Sequence, residues 1–353
     1  MLKSKGLAKL MLLVGGLLVL ALMAAACGGA EKQVIKFHDG QWETLWEHNA
    51  IAMYITENGY GYPVEEVTGT TGTMKVALPQ GDLDVNMELW QANVADWYQE
   101  TVGAGTVVDL AGQFGNVENG ATGQILETSM QGIYVPSYMV EQNPGLKSVM
   151  DLPKFKELIK DPEDASKGVV VNCIIGWNCQ KIIRAKWHAY GLYDDINLLE
   201  PGAAAAIDAN IAGAYQAGEP VASYYWEPTK LIADLDMTLL EEPPWTAECQ
   251  AAIDAAIEAE PYESTMGCAF KATDVHAGVY SGLVERAPEV TDFLGKMFIG
   301  SLALGDLAAW KNDNNKEWSE AAVYWLKNNE ATWMTWVTDD AAKKVKESLA
   351  KES

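Results

Sequence analysis

Residues 34–61 read VIKFHDGQWETLWEHNAIAMYITENGYG. The first five are a short β-rich run, Val34 to His38. The segment from Glu43 to a terminal Gly61 is long enough for five helical turns and ends on the residue type that most often stops a helix. A strand and then a helix, repeated along a chain, signals α/β construction with a mainly parallel sheet. The repeat is visible downstream. DLDVNMEL (82–89), GIYVP (132–136), GVVVN (168–172), PVASYY (220–225) and CAFKAT (268–273) are the further strand candidates. Helical patterns cover Gln180 to Tyr190, Ala203 to Ala217, Ala247 to Glu260, Ala287 to Leu304 and Trp318 to Asn329, and the terminal DDAAKKVKESLAKES (339–353) reads as a solvated helix. No internal repeat is present.

The opening MLKSKGLAKLMLLVGGLLVLALMAAACGG has a lysine-rich start, an apolar run and small residues ahead of Cys27. That order is a secretory signal rather than a structural helix, although its apolar length also suits an uncleaved membrane anchor. Either way the remainder lies outside the cytoplasm. Ala24-Ala25-Ala26-Cys27 is similar to a bacterial lipobox, which implies a signal peptide over 1–26, a diacylated Cys27 and a tether over 27–33. Ala24 stands where leucine is usual. Removing 26 of the 353 residues leaves 327, more than one core normally serves, so two lobes are expected. Three lysines leave with the signal, and the formal charge moves from −24 to about −27. A surface of that sign repels nucleic acid and anionic lipid.

Cys27 aside, four cysteines remain in an exported chain, and the local pairing is Cys173 with Cys179 and Cys249 with Cys268. A zinc site is not expected, because C-x5-C is not a zinc spacing and His38, His48, His188 and His276 form no ligand pattern. No cofactor motif stands out. An enzyme needs a nucleophile, an acid–base pair or a metal, and neither G-x-S-x-G nor H-E-x-x-H occurs. Glu43, Glu47 and Glu88 offer carboxylates, but a charged helix face accounts for the first two. No enzyme activity is expected.

Three of the thirteen tryptophans share a context. Trp90 closes DVNMELW, Trp177 comes just after GVVVNCIIG, and Trp226 closes PVASYYW, so each falls at the carboxyl end of a strand candidate, the edge where open α/β sheets bind ligands. Trp42 comes after the first strand and is a candidate fourth wall, whereas Trp46 reads as core. Trp310, Trp318, Trp325, Trp333 and Trp336 read as packing. The helix that starts in Asn178-Cys179 would offer free backbone N–H groups to an anion. Aromatic faces attract a cation without needing its hydrogen bonds. Together they describe a zwitterion site.

NMELW, GWNCQ, YYWEP and AAVYWLKNN resemble segments of the substrate-binding proteins of ABC importers for glycine betaine, proline betaine and choline. The resemblance implies a two-lobed periplasmic-binding-protein fold of type II, with a ligand cleft between lobes 34–133 plus 275–353 and 134–274, and crossings near Tyr134–Ser137 and Phe270–Asp274. It implies a cation cage of Trp90, Trp177 and Trp226, carboxylate-binding amides at Asn178 and Cys179, and a bridge from Cys173 to Cys179 that holds the loop. Some members carry a histidine where this chain has Val94, and Asn93 is the neighbouring substitute. The implied partners are a small quaternary-ammonium ligand and an ABC permease, with the chain a lipid-anchored monomer; a receptor for another zwitterion or cation, such as choline, carnitine or an amino acid, is the alternative.

Overall fold

The structure is a computed structural model, and it describes residues 32–111 and 124–352, with backbone alone for 124–128. The signal segment 1–26, Cys27 and the tether up to residue 31 lie outside the described residues.

Among the described residues, ten strands form one curled sheet: β1 (Ile35–Asp39), β2 (Val64–Thr68), β3 (Val85–Leu89), β4 (Val107–Asp109), β5 (Gln124–Pro136), β6 (Gly168–Val171), β7 (Ile196–Leu199), β8 (Ser223–Glu227), β9 (Met237–Leu239) and β10 (Thr273–Tyr280). Their order is β2-β1-β3-β10-β5-β8-β6-β7, with β4 beside β10 and β9 beside β5. Each end of this path is a parallel run, β2-β1-β3 and β8-β6-β7, built from strand–helix–strand units. The two middle strands are antiparallel to their neighbours, because here the chain passes from one half to the other and back. β5 pairs with β10 through Ser129 and with β8 from Met130 onward, so one strand belongs to both halves.

Each half has its own core. Ile35, Phe37, Val85 and Met87 pack against Ile51, Ile55, Trp325 and Val345 in the first, and Val170, Ile183, Trp187 and Tyr224 belong to the second. Helix Glu43–Tyr60 ends where Gly61 takes a left-handed conformation (φ 73°) and its N–H bonds back to Glu57 O. Ten of its residues are buried, since sheet lies on one side and helices Trp318–Asn328 and Asp339–Leu349 on the other.

Three expectations need correction. The terminal helix Asp339–Leu349 is amphipathic rather than solvated: Ala341, Ala342, Val345 and Leu349 are buried, and Ala341 and Val345 lie against Gly59. The helix expected over Ala287 to Leu304 is two helices, Pro288–Lys296 and Ser301–Asp313, bent by 98° at a break where Gly300 has φ 82°. CAFKAT contributes only Thr273 to a strand, because Cys268 is tied to Cys249 and Gly267 lies against the Tyr190 ring. No single helix among the described residues is long and apolar enough to cross a membrane.

Candidate functional site

Between the two cores lies a cavity of about 60 Å³. Trp42, Trp90, Trp177 and Trp226 all line it, with Asn93, Val94, Asn178 and Cys179. Sequence reading did not connect His38, Gln131 and Tyr224 with the site, and saw Glu88 only as a stray carboxylate; these also line it.

Each ring is placed by its local backbone. Trp42 precedes helix Glu43–Tyr60, and its six-membered ring lies over Gly40, where a β-carbon would stand 2.0 Å from the ring. Only glycine permits that approach. Trp90 is the first residue after β3. Trp177 ends the loop bridged by Cys173 and Cys179, immediately before helix Asn178–Tyr190. Trp226 lies within β8 rather than beyond it, opposite Gln131 of β5. Trp177 meets Trp42 edge-on at 5.3 Å between centroids and Trp226 at 5.7 Å. Trp42 and Trp90 pack against both cores, which puts the cluster on the boundary between halves.

Hydrogen bonds cross that boundary. Trp177 Nε1 donates to Gly40 O at 3.0 Å, and Asn178 Nδ2 donates to Asn93 O at 2.5 Å. Gly176 (φ 96°) lies so close to Thr70 that a β-carbon would fall 2.8 Å from Thr70 Cγ2. Asn172, fully buried, braces the same loop: its Oδ1 accepts from Cys173 N and its Nδ2 donates to Gln180 O. Both expected disulfides, Cys173–Cys179 and Cys249–Cys268, are present.

Among the described residues, the polar lining carries one acid and no lysine or arginine. Glu88, 1 % exposed, accepts from Trp42 Nε1 at 2.6 Å and Trp90 Nε1 at 3.2 Å through Oε2, and meets His48 Nδ1 at 2.9 Å through Oε1. Burial lowers the pKa of His38, which favours its neutral ring. The Asn93 side chain is already paired reciprocally with Gln131, so the carboxylate role expected of it would require breaking that pair. Val94 is buried among Met74, Leu89 and Trp97 and offers no polar contact. Among the described residues, no side chain caps the start of helix Asn178–Tyr190.

Elsewhere the tryptophans divide. Trp325, Trp333 and Trp336 are core, and Trp310 and Trp318, half-buried, pack against it. Trp46, expected in the core, is half-buried too, held by Nε1 to Asp39 at 2.7 Å. Glu47 is not on a solvated face: it is 1 % exposed, and neither carboxylate oxygen has a hydrogen-bond partner among the described residues. Burial first, then the charges of Glu43 and Glu88, push its carboxyl well above the usual range.

Two α/β halves, joined by crossing strands and enclosing a cavity at their junction, define a two-lobed binding protein. Residues 34–328 match the model of the substrate-binding domain of ABC-type glycine betaine transport systems, and the chain belongs to that family, whose members are binding proteins and not enzymes. The chain is 20 % identical over 278 residues to the trimethylamine N-oxide-binding protein of Pelagibacter ubique, covering 77 % of this chain and 81 % of that one. It is 27 % identical over 190 residues to a glycine betaine-binding periplasmic protein of Dickeya dadantii, covering 52 % of this chain and 53 % of that one. Among solved structures, a glycine betaine/L-proline-binding protein from Borrelia burgdorferi superposes with a TM-score of 0.66 at 18 % identity, covering 88 % of this chain and 99 % of that one. Lactococcal OpuAC, closed on glycine betaine, superposes with 0.63 at 16 % identity, covering 87 % and 100 %. At these identities the solved structures speak for the fold.

Proposed function

We propose that this chain captures a small quaternary-ammonium solute in a cage of Trp42, Trp90, Trp177 and Trp226 and delivers it to an ABC permease at the outer face of the membrane. The observation that carries the reading is the convergence of four indoles on one cavity between two lobes. A quaternary nitrogen has no N–H to donate, so hydrogen-bond acceptors cannot select it; the negative faces of aromatic rings can, at about 2 kcal/mol per desolvated contact. If the solute is a zwitterion, the uncapped N–H groups of Asn178 and Cys179 are the groups for its carboxylate. Trp177 and Asn178 belong to one lobe and bond to Gly40 and Asn93 of the other, so ligand contact and lobe closure would use the same residues. We assign the lobes to 34–133 plus 275–353 and to 134–274, with the change of lobe inside β5 and at the start of β10.

Calorimetry of the wild-type protein with glycine betaine, proline betaine, choline, carnitine and trimethylamine N-oxide tests this. One or more should bind stoichiometrically, and at a hundred times its dissociation constant should stabilise the fold by roughly 2.7 kcal/mol. Binding of none would overturn the reading. Anchoring through Cys27 is inferred from the leader, and mass spectrometry of membrane-extracted protein should find a diacylated Cys27 as the first residue. An intact Met1 would refute it.

A further inference from the structure

We propose that Glu88 sets the charge preference of the cavity, making it favour ligands of net positive charge over zwitterions with the same head group. This deepens the quaternary-ammonium reading and rests on it. Among the described residues, Glu88 is the one acid lining the cavity, and no lysine or arginine stands opposite. Its Oε2 accepts from the indole N–H groups of Trp42 and Trp90, and its Oε1 meets His48 Nδ1. Two indole N–H groups thus donate to one carboxyl oxygen, and the part His48 plays at the other depends on which ring nitrogen carries its proton. His48 is fully buried, and its Nε2 has no hydrogen-bond partner among the described residues. The tautomer with its proton on Nδ1 donates to Glu88 without leaving a buried unpaired N–H, and with it both carboxyl oxygens act as acceptors, the arrangement that suits a carboxylate.

A bound ligand feels this charge in two ways. The carboxylate lends the rings negative potential through their own N–H groups, which strengthens attraction for a cation at the ring faces. It also acts directly: at about 7 Å and an effective dielectric constant near 20, one charge on another changes affinity on the order of fiftyfold. A zwitterion recovers less, since its own carboxylate feels Glu88 with the opposite sign. The groups that line the cavity for that carboxylate are neutral: main-chain N–H, the Asn93, Gln131 and Asn178 amides and the Tyr224 hydroxyl, which already bond one another or the main chain, and the His38 ring.

Glu88→Gln removes the charge while keeping the contacts. The remaining oxygen can face the two indoles, and the new NH₂ can donate to His48 once that ring moves its proton to Nε2, at the cost of an unpaired N–H there that falls on both ligands alike. The experiment is calorimetry of wild type and variant with choline and with glycine betaine, alongside 3,3-dimethylbutanol, the uncharged carbon isostere of choline. The expected result is that choline loses about tenfold or more in the variant while glycine betaine loses less than about threefold, and that wild type binds choline at least tenfold tighter than the isostere. Equal losses for both ligands would mean that Glu88 only props the indoles, and would overturn the proposal. Equal binding of choline and its isostere would overturn it even if the variant failed to fold. A wild type that binds neither choline nor betaine would instead sink the quaternary-ammonium reading and this proposal with it.

Discussion

Replacing Trp177 separates the ring from the hydrogen bond it makes. Trp177→Ala removes one face of the cavity, two edge contacts at 5.3 and 5.7 Å, and the Nε1 bond to Gly40 O across the lobes. A desolvated cation–π contact contributes about 2 kcal/mol and a neutral hydrogen bond about 1 kcal/mol net. The sum is ~3 kcal/mol, or about a 150-fold loss of affinity. Trp177→Phe keeps an aromatic face and loses the N–H, so about fivefold to tenfold is expected. Calorimetry with the tightest ligand of the wild type gives both numbers, and small-angle scattering with and without ligand reports closure. The alanine variant should stay open where the wild type compacts. If alanine binds within twofold of wild type, Trp177 is not a wall of the site; if phenylalanine is as damaging as alanine, the ring face contributes nothing and the cross-lobe bond carries everything.

Glu47 predicts a pH dependence of stability. Burial holds its carboxyl well above the ordinary 4.5, so the folded protein keeps a proton that the unfolded chain releases. Its stability contribution is therefore lost as pH rises from 4.5 toward the folded value, and Glu47→Gln should abolish that loss. A glutamine in the same place is just as unpartnered but cannot ionise, so the variant should melt a few degrees above wild type at about pH 8 and converge with it near the ordinary carboxylate range; parallel melting curves across that window would contradict the assignment. The double change Cys173→Ser and Cys179→Ser should cost about tenfold in affinity with only a modest fall in melting temperature, because a six-residue span closes a short loop and Asn172 still braces it. Collapse of the fold with normal binding by the surviving protein would make the bridge a structural staple.

Local alternation of strand and helix was legible, because β1, β3, β6 and β8 are apolar runs flanked by helix signals. β10 was missed: TDVHAGVY, residues 273–280, buries the alternate residues Val275, Ala277 and Val279, but the polar and small residues between them leave no continuous apolar run. β2 was missed for a different reason, since VEEVT at the sheet edge keeps Glu65 and Glu66 exposed and shows no apolar face. The four tryptophans of the cavity were legible through their place at strand ends, although Trp226 turned out to lie inside its strand. Glu88 carried a signal that went unused. It is a charge in the middle of a strand whose five residues are all buried, and such a residue needs partners that only the fold can supply. Nothing in the local sequence announces Gln131 or His38, which reach the cavity from β5 and β1 by topology alone.

The place of β10 has a consequence for how the molecule is made. Residues 130–272 contain every strand of their own parallel run, so a chain emerging amino end first can complete that half as soon as it is out. The first half cannot: β3 waits with one edge unpaired until Thr273–Tyr280 arrives, and helix Glu43–Tyr60 waits longer still for Trp318–Asn328 and Asp339–Leu349 to cover it. An open strand of Val85, Met87 and Leu89 invites pairing with other chains. Synthesis arrested before residue 273 would thus leave one finished half attached to one adhesive half, and the residues ahead of Met130 are where a chaperone has most to protect.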